Sequence, residues 1–428
     1  MTAPALYLYD DSQARTFEPY ASSRPLSEMR AGTALIRERW TAALGGGETF
    51  FLAGDRHADF DEPGAKSATG MIPGNSIIVN SRFAPAIPKD PTKALRSNAS
   101  CSLWRSGTDL VAVRIKDPIN AAQFADGSVM LDQVQVGTGA IGTMEGWWLN
   151  EVWDFIRLLP EQLSADINRV HEFARKLYVS TSTAQATTKP PAHATVIGDQ
   201  PVIIVHADGT QRTVIEPHVV FDASGGPILV QPGTHIRAFT RITGPCYIGR
   251  EVQVLGGDIS VCSVGDVCKV RGEVANTIFL GHSNKGHDGF VGHSYLGRWV
   301  NLGASTVTSN LKNTYGTVAL WTPGGVRDTG MQFLGTMFGD HVKTGIGLRL
   351  TTGCVLGMAA NVFDQMPPKV VAPFSWGGKA PYDTYRADKF VETAARAMAR
   401  RHVELSDRAR RHLTNVHAGR WTAGTDAS

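Results

Sequence analysis

Between residues 217 and 380, aliphatic side chains return at every sixth position. Val230, Ile236, Ile242, Ile248 and Val254 form one run, and Phe338, Thr344, Leu350, Leu356 and Val362 form a second, with Gly339, Gly345 and Gly357 directly after members of the second run. An amphipathic helix repeats near 3.6 residues and a half-buried strand near 2, so neither produces this period. Six residues per flat side, with a small residue at the corner, predict a parallel β-helix. Three sides make a coil of ~18 residues, which gives the stretch roughly seven to nine coils. The spacing slips at Val291, Leu296 and Leu302, which are five and six residues apart, and such slips mark inserted loops where sites are built. The 45 glycines of the chain fit a fold with many tight turns.

The 428 residues exceed what this stretch needs, so a second core is expected. Residues 1–179 mix short apolar runs, at residues 5–9, 77–79 and 110–115, with helical periodicity at residues 27–40 and 148–178, the latter broken at Pro160. That mixture predicts an α/β domain. Residues 180–216 read as a linker, rich in Ser, Thr, Ala and Pro over 180–200. Residues 381–428 read as a helical tail, with Phe390, Ala394 and Met398 on one stripe and Ser406 as the N-cap of a second helix backed by Leu413 and Val416. No run approaches ~18 apolar residues, so no membrane span is expected. The net charge of +3 supplies no electrostatic case for nucleic acid. Five cysteines without a CxxC spacing suggest neither a disulfide framework nor a zinc site, and the N-terminus shows no secretion signal, so a cytoplasmic protein is expected.

Chemistry concentrates in residues 284–316, where His287, Asp288, His293, Asn301, Asn310 and Lys312 interrupt the hexapeptide pattern. Acyl transfer to an amine requires a base for the ammonium proton and donors for the tetrahedral oxyanion, and histidine and asparagine supply both. Asn and Asp also serve as corner formers in such coils. His282, His287 and His293 are five and six residues apart, which places them on adjacent sides of a coil, so gathering zinc would need a neighbouring chain.

The stretch HDGFVGHSYLGRWVNLGAST, residues 287–306, followed by Thr308-Ser309-Asn310, resembles the acetyltransferase half of the bifunctional uridylyltransferase and glucosamine-1-phosphate acetyltransferase family, whose pattern is H-L-T-Y-x-G-D-x-x-x-G-x-x-V-N-x-G-A-G-T followed by T-x-N-Y. The resemblance implies a left-handed parallel β-helix and a homotrimer with the site between subunits. It implies His287 as catalytic base, Asn310 beside the reacting acetyl group, Asn301 on the sugar phosphate, and Ala304 as a backbone contact to acetyl coenzyme A; Lys312 is a further candidate for the sugar phosphate. Phe290 replaces a sugar-contacting tyrosine, Leu311 replaces the tyrosine after the asparagine, and Ala275 stands where a phosphate-binding lysine is expected, with Arg271 as the substitute cation.

In the N-terminal half, Leu6 to Leu8 is similar to the first strand of the family's nucleotidyltransferase domain, a Rossmann-like α/β fold, and Arg15 falls at the arginine ending its phosphate loop. The loop itself carries Asp10 and Asp11 at glycine positions, where two carboxylates would repel a triphosphate. Asn80-Ser81-Arg82 lacks the family's Mg²⁺-binding aspartate. Arg15, Arg24 and Arg30 are the candidate nucleotide phosphate partners, their alternative being ion pairs with Glu18, Glu28 and Glu38. Together with SRPLSEMRAGTALIRERW (residues 23–40), SNLKN (309–313), GDHVKTGIG (339–347) and FSWG (374–377), the chain resembles the variant GlmU-like sugar nucleotidyltransferase branch. The resemblance implies an N-acetyltransferase acting on an amino-sugar phosphate, with sugar phosphate, sugar nucleotide and acetyl coenzyme A as ligands. Two alternatives stand beside it: a nucleotidyltransferase with a rearranged loop, with Mg²⁺, and a non-catalytic sugar-nucleotide-binding protein.

Overall fold

The computed structural model describes residues 4–45, 47–90, 94, 98–177, 186–187, 190–206 and 212–422. Two compact units emerge, one of Met1–Val152 with Leu405–Gly419 and one of Trp153–Glu404 with Arg420–Ser428.

The first unit is built on a six-stranded sheet. Its order is Ala140–Thr143, Cys101–Ser106, Asp109–Arg114, Ile77–Asn80, Leu6–Tyr9, Thr49–Leu52. Leu6–Tyr9 runs parallel to both neighbours, and its four side chains are buried, as an apolar run covered on both faces requires. Asp109–Arg114 is antiparallel to the strands on either side. The helical pattern expected over residues 27–40 is interrupted. Leu26–Glu28 forms a 3₁₀ turn and Arg30–Ala31 pairs with Ala34–Leu35, before the helix Ile36–Leu44 begins. Gly32, at φ 57°, makes the tight reversal that the apolar periodicity concealed. The Glu38 carboxylate accepts the Leu35 N–H at 2.8 Å and fixes the helix start, while Trp40 and Ile36 are buried beneath it.

In the second unit, parallel pairs climb from Val202–Val205 through Ile228–Val230, Cys246–Ile248, Ser263–Val264, Ile278–Phe279, Tyr295–Leu296, Thr336–Phe338 and Cys354–Leu356 to Val370–Val371. This is a parallel β-helix. Ile228 pairs with Cys246, eighteen residues on, as the six-residue side predicts. Nine of the ten residues in the two hexapeptide runs lie in one continuous apolar core, and Thr344 is buried as well. Val291, Leu296 and Leu302 join that core despite their slipped spacing. The slips have two sources. Val270 pairs with Lys285, fifteen residues on, but Val274 pairs with Val291, seventeen on, so residues 286–290 bulge outward by two extra residues. Leu296 pairs with Phe338, forty-two residues on, because residues 309–335 leave the coil and include the hairpin Ala319–Thr322 with Gly325–Asp328.

Three boundaries differ from the sequence expectation. The stretch read as linker already contains coil strands, since Thr195–Ile197 pairs with Val220–Asp222 and Val202–Val205 with Ile228–Val230. Strands of three and four residues are too short to impress a pattern on a Ser/Thr-rich composition. Residues 180–185, 188–189 and 207–211 of that linker lie outside the described residues. Helix Leu159–Leu177, which places Pro160 in its first turn, belongs to the β-helix unit. The tail divides: Ala387–Ala399 buries Phe390, Ala394 and Met398 in the second unit, whereas Asp407–Ala418 buries Leu413 and Val416 in the first, capped by Ser406.

Phe279, fully buried in the β-helix core, has no room to be replaced by collapse of neighbouring coils that are each fixed by the next. Phe279→Ala is expected to cost about 3–5 kcal/mol, measured as the shift in urea midpoint of the β-helix transition.

Candidate functional site

The site is built on the bulge at residues 286–290. Its anchor is Lys285, which occupies an inward position in line with Val254 and Val270 and is 2% exposed. Its ammonium cannot reach water, so it donates to the carbonyl oxygens of Arg271 at 2.8 Å and His287 at 2.6 Å. Burial pushes its pKa down to about 8. The next residues turn outward. His287 is exposed, and its ring makes no hydrogen bond among the described residues. Asp288 is paired with Arg271, Nε to Oδ1 3.1 Å, and the same guanidinium donates to Leu255 O at 2.8 Å. Arg271 is therefore beside the His287 bulge, on the preceding coil.

Phe290 and Asn310 converge over Gly292. A Cβ on that glycine would lie 2.4 Å from the Phe290 ring and 2.8 Å from Asn310 Nδ2, so no larger residue fits beneath them. The Phe290 carbonyl accepts Thr308 N–H at 2.9 Å, which brings the strand leading to Asn310 alongside the bulge. Asn310 Nδ2 meets Nδ1 of His293 at 2.9 Å. Asn301 accepts Asn284 Nδ2–H at 2.7 Å through its Oδ1, at the foot of the bulge. Ala304 lies in the corner next to Ser305, whose N–H donates to Asp288 O at 3.2 Å. Lys312 opens the 309–335 excursion; among the described residues no hydrogen bond or ion pair ties its ammonium to the other candidates.

Arg271, then His287 and Phe290, then Asn301, Asn310 and the Ala304 corner thus lie on three successive coils. Lys285, which sequence reasoning passed over, and His293, which it noted without a role in acyl transfer, complete the arrangement. Lys285 interrupts an aliphatic column, a signal visible only once the fifteen-residue register is known. His293 stands where the family pattern carries aspartate, which was legible in the alignment of residues 287–306.

In the first unit the arginines expected to meet phosphate are turned into the fold. Arg15 donates to the carbonyls of Asp10 (3.0 Å), Ala125 (2.5 Å) and Phe124 (3.0 Å). Arg24 is 2% exposed and bound to Glu62 at 2.9 Å. Arg30 is buried and donates to Thr33 O at 2.6 Å. Of the expected glutamate partners, Glu28 pairs with Arg37 at 2.8 Å and Glu38 caps its helix. Nor do the loop carboxylates stand free. Asp10 is buried, accepts Leu26 N–H at 2.9 Å, and has its pKa raised by burial to about 6. Burial would also raise Asp11, but hydrogen bonds from Arg82 and its charge outweigh this and lower it, with Asn80 Nδ2 at 2.9 Å and Ala14 N at 2.9 Å as further donors. Arg82 lies 2.8 Å from Asp11, also reaches Asn150 Oδ1 at 3.0 Å, and sits over the Trp148 ring. The anticipated repulsion between this loop and a phosphate is therefore largely cancelled inside the fold. At the end of strand Thr49–Leu52 a cleft of about 240 Å³ opens between residues 51–55, 67–70 and 120–125. Arg15 lies close to Gly54, one of its lining residues, where a Cβ would be 2.9 Å from Arg15 Nη1. No helix among the described residues is long and apolar enough to cross a membrane.

Comparison with known proteins agrees with this architecture. Residues 6–174 match the sugar nucleotidyl transferase family. The chain is 31% identical to a bifunctional sugar-1-phosphate nucleotidylyltransferase/acetyltransferase of Sulfurisphaera tokodaii over 21% of this chain and 23% of that protein. It is 29% identical to the bifunctional protein GlmU of Acaryochloris marina over 32% of this chain and 33% of that protein, and 26% identical to that of a Synechococcus species over 21% and 27%. It thus spans about a quarter to a third of the length of the curated relatives it matches. Residues 6–174 thus match the sugar nucleotidyl transferase family, a parallel β-helix follows them, and parts of the chain are similar to GlmU-type bifunctional proteins.

Proposed function

We propose that this protein serves sugar-nucleotide biosynthesis as an acetyl-coenzyme-A-dependent N-acetyltransferase whose acceptor is an amino-sugar phosphate. The observation that carries the reading is the bulge at residues 286–290, which carries the exposed His287 imidazole, pairs Asp288 with the Arg271 guanidinium and brings Phe290 to the Asn310 carboxamide over Gly292. In this reading His287 takes the proton from the acceptor ammonium, the freed amine attacks the thioester carbonyl carbon, and the carbon–sulfur bond breaks as coenzyme A leaves. Asn310 holds the acetyl carbonyl, while Arg271, Asn301 and Lys312 receive the sugar phosphate. Phe290 offers a ring face without the hydroxyl of the tyrosine it replaces, so the acceptor is held there by contact alone. The same reading includes a cytoplasmic homotrimer with Ala304 at the coenzyme A site; light scattering of the purified protein checks the assembly.

The test is coenzyme A release from acetyl coenzyme A with a panel of amino-sugar 1-phosphates. Release with one acceptor supports the reading and names the substrate. No release with any acceptor, joined to no detectable binding of acetyl coenzyme A, removes it.

A second reading concerns the first unit alone. The pairing of Asp11 with Arg82 relieves the charge that would have excluded a sugar nucleotide from the neighbourhood of the loop. Sugar-nucleotide binding by this unit, with or without turnover, is therefore retained, and calorimetric titration with uridine and thymidine diphosphosugars decides it. The Mg²⁺ expected with nucleotidyl transfer finds a poor site here, because Asp11, the carboxylate beside Asn80, is already occupied by Arg82; no step is derived through it.

A further inference from the structure

His293 has no place in the reaction just described, yet it is the residue that Asn310 touches. It lies at a coil corner with φ 48°, its N–H donating to Ala275 O at 2.8 Å and its carbonyl accepting Gly335 N–H at 2.9 Å. Both ends of its backbone are therefore fixed by neighbouring coils. Its ring stacks on Phe333, with centroids 5.4 Å apart and planes at 26°. Phe333 belongs to the returning arm of the 309–335 excursion, where it bridges to Leu311 while Leu334 N–H donates to Asn310 O at 2.9 Å. The imidazole is thus held on one side by the arm and presents Nδ1 to the Asn310 carboxamide at 2.9 Å.

A terminal carboxamide torsion is broad and roughly two-fold, so an unrestrained asparagine offers its oxygen and its NH₂ group to a ligand interchangeably. With its proton on Nε2, a neutral imidazole presents a bare Nδ1 that can only accept. It selects the orientation in which Nδ2 faces His293, fixing where Oδ1 and the second N–H are aimed. Burial holds the ring neutral by pushing its pKa down to about 4.

We propose that His293 is a positioning residue that sets the orientation of the Asn310 carboxamide toward the acetyl group. The proposal rests on the acetyltransferase reading above. It also accounts for the replacement of the aspartate in the family pattern: a carboxylate and the bare Nδ1 of the Nε2–H imidazole are both acceptors toward an N–H, so either one performs the selection.

The test compares His293→Ala, His293→Asp, Asn310→Ala and the double variant His293→Ala/Asn310→Ala in the coenzyme A release assay, with thermal melting of each. His293→Ala is expected to lower kcat by ~10-fold, a hydrogen bond's worth, with little change in KM. Asn310→Ala is expected to lose ~10²-fold, and the double variant no more than that, since His293 acts only through Asn310. His293→Asp is expected to recover to within ~3-fold of the wild type. Losses that multiply in the double variant, or His293→Asp as slow as His293→Ala at an unchanged melting temperature, would overturn the positioning role. A wild type that releases no coenzyme A defeats the acetyltransferase reading itself, which separates the two failures.

Discussion

His287→Ala is expected to lower coenzyme A release by ~10²–10⁴-fold, the usual contribution of a positioned general base, with no change in melting temperature. The separation of the two effects follows from geometry. The ring of His287 is exposed and makes no hydrogen bond among the described residues, so its removal leaves neither a cavity nor an orphaned partner. What Lys285 holds is the backbone carbonyl of residue 287, and alanine retains that carbonyl. The bulge therefore keeps its shape while the base is lost. Added imidazole should restore part of the rate, because the vacated position is open to solvent. A loss smaller than ~10-fold would place the base elsewhere and return His287 to the surface.

Lys285→Met is expected to remove a pH dependence rather than stability. With a pKa near 8 in the fold against an ordinary 10.5, Lys285 is charged in both folded and unfolded chains below pH 8, and the folded state carries the whole desolvation penalty there. Between pH 8 and 10.5 the folded chain releases its proton first. The unfolded state then binds more protons, so stability rises with pH, by up to ~1.4 kcal/mol per pH unit for this group. By pH 10 the wild type should have gained about 2–3 kcal/mol relative to Lys285→Met. At pH 7 the variant should be at least as stable as the wild type, since a methionine of similar length suits a column otherwise filled by Val254 and Val270. Lys343, also lowered to about 8 by burial, is present in both proteins and cancels in the comparison. Urea unfolding of the two proteins at pH 7, 8, 9 and 10 measures the difference. Parallel curves would show that the Lys285 ammonium is not desolvated. In the same variant the carbonyl of residue 287 loses its anchor, and coenzyme A release is expected to fall ~10-fold even where stability is unharmed.

These two residues mark what could be read in the sequence and what could not. His287 was singled out because its neighbours match a gap-free pattern over residues 287–306. Lys285 was passed over because a lysine between an asparagine and a glycine looks like an ordinary surface turn. Only the pairing of Val270 with Lys285 reveals that it points inward. The three arginines of the first unit illustrate the reverse error. Each sits at or near a position where a phosphate contact was reasonable, yet Arg15, Arg24 and Arg30 all find carbonyl or carboxylate acceptors within the fold. Guanidinium groups go to whichever acceptors the chain brings within reach, and backbone carbonyls are invisible in a sequence. Asp11 and Arg82 are seventy-one positions apart, and their meeting depends on Leu6–Tyr9 lying parallel to Ile77–Asn80.

The six-residue period by itself determined the β-helix and nearly all of its core, because a repeat that every coil must satisfy is written many times over and survives local slips. The apolar run at Leu6 to Leu8 likewise determined a buried strand. Tertiary structure alone decided the rest. It decided that two extra residues at 286–290 turn His287 outward, that residues 309–335 leave the coil and bring Phe333 back onto His293, and that Asn310 is met by His293. Each of these depends on register between coils, and register is fixed by contacts fifteen to forty-two residues apart that no local pattern contains.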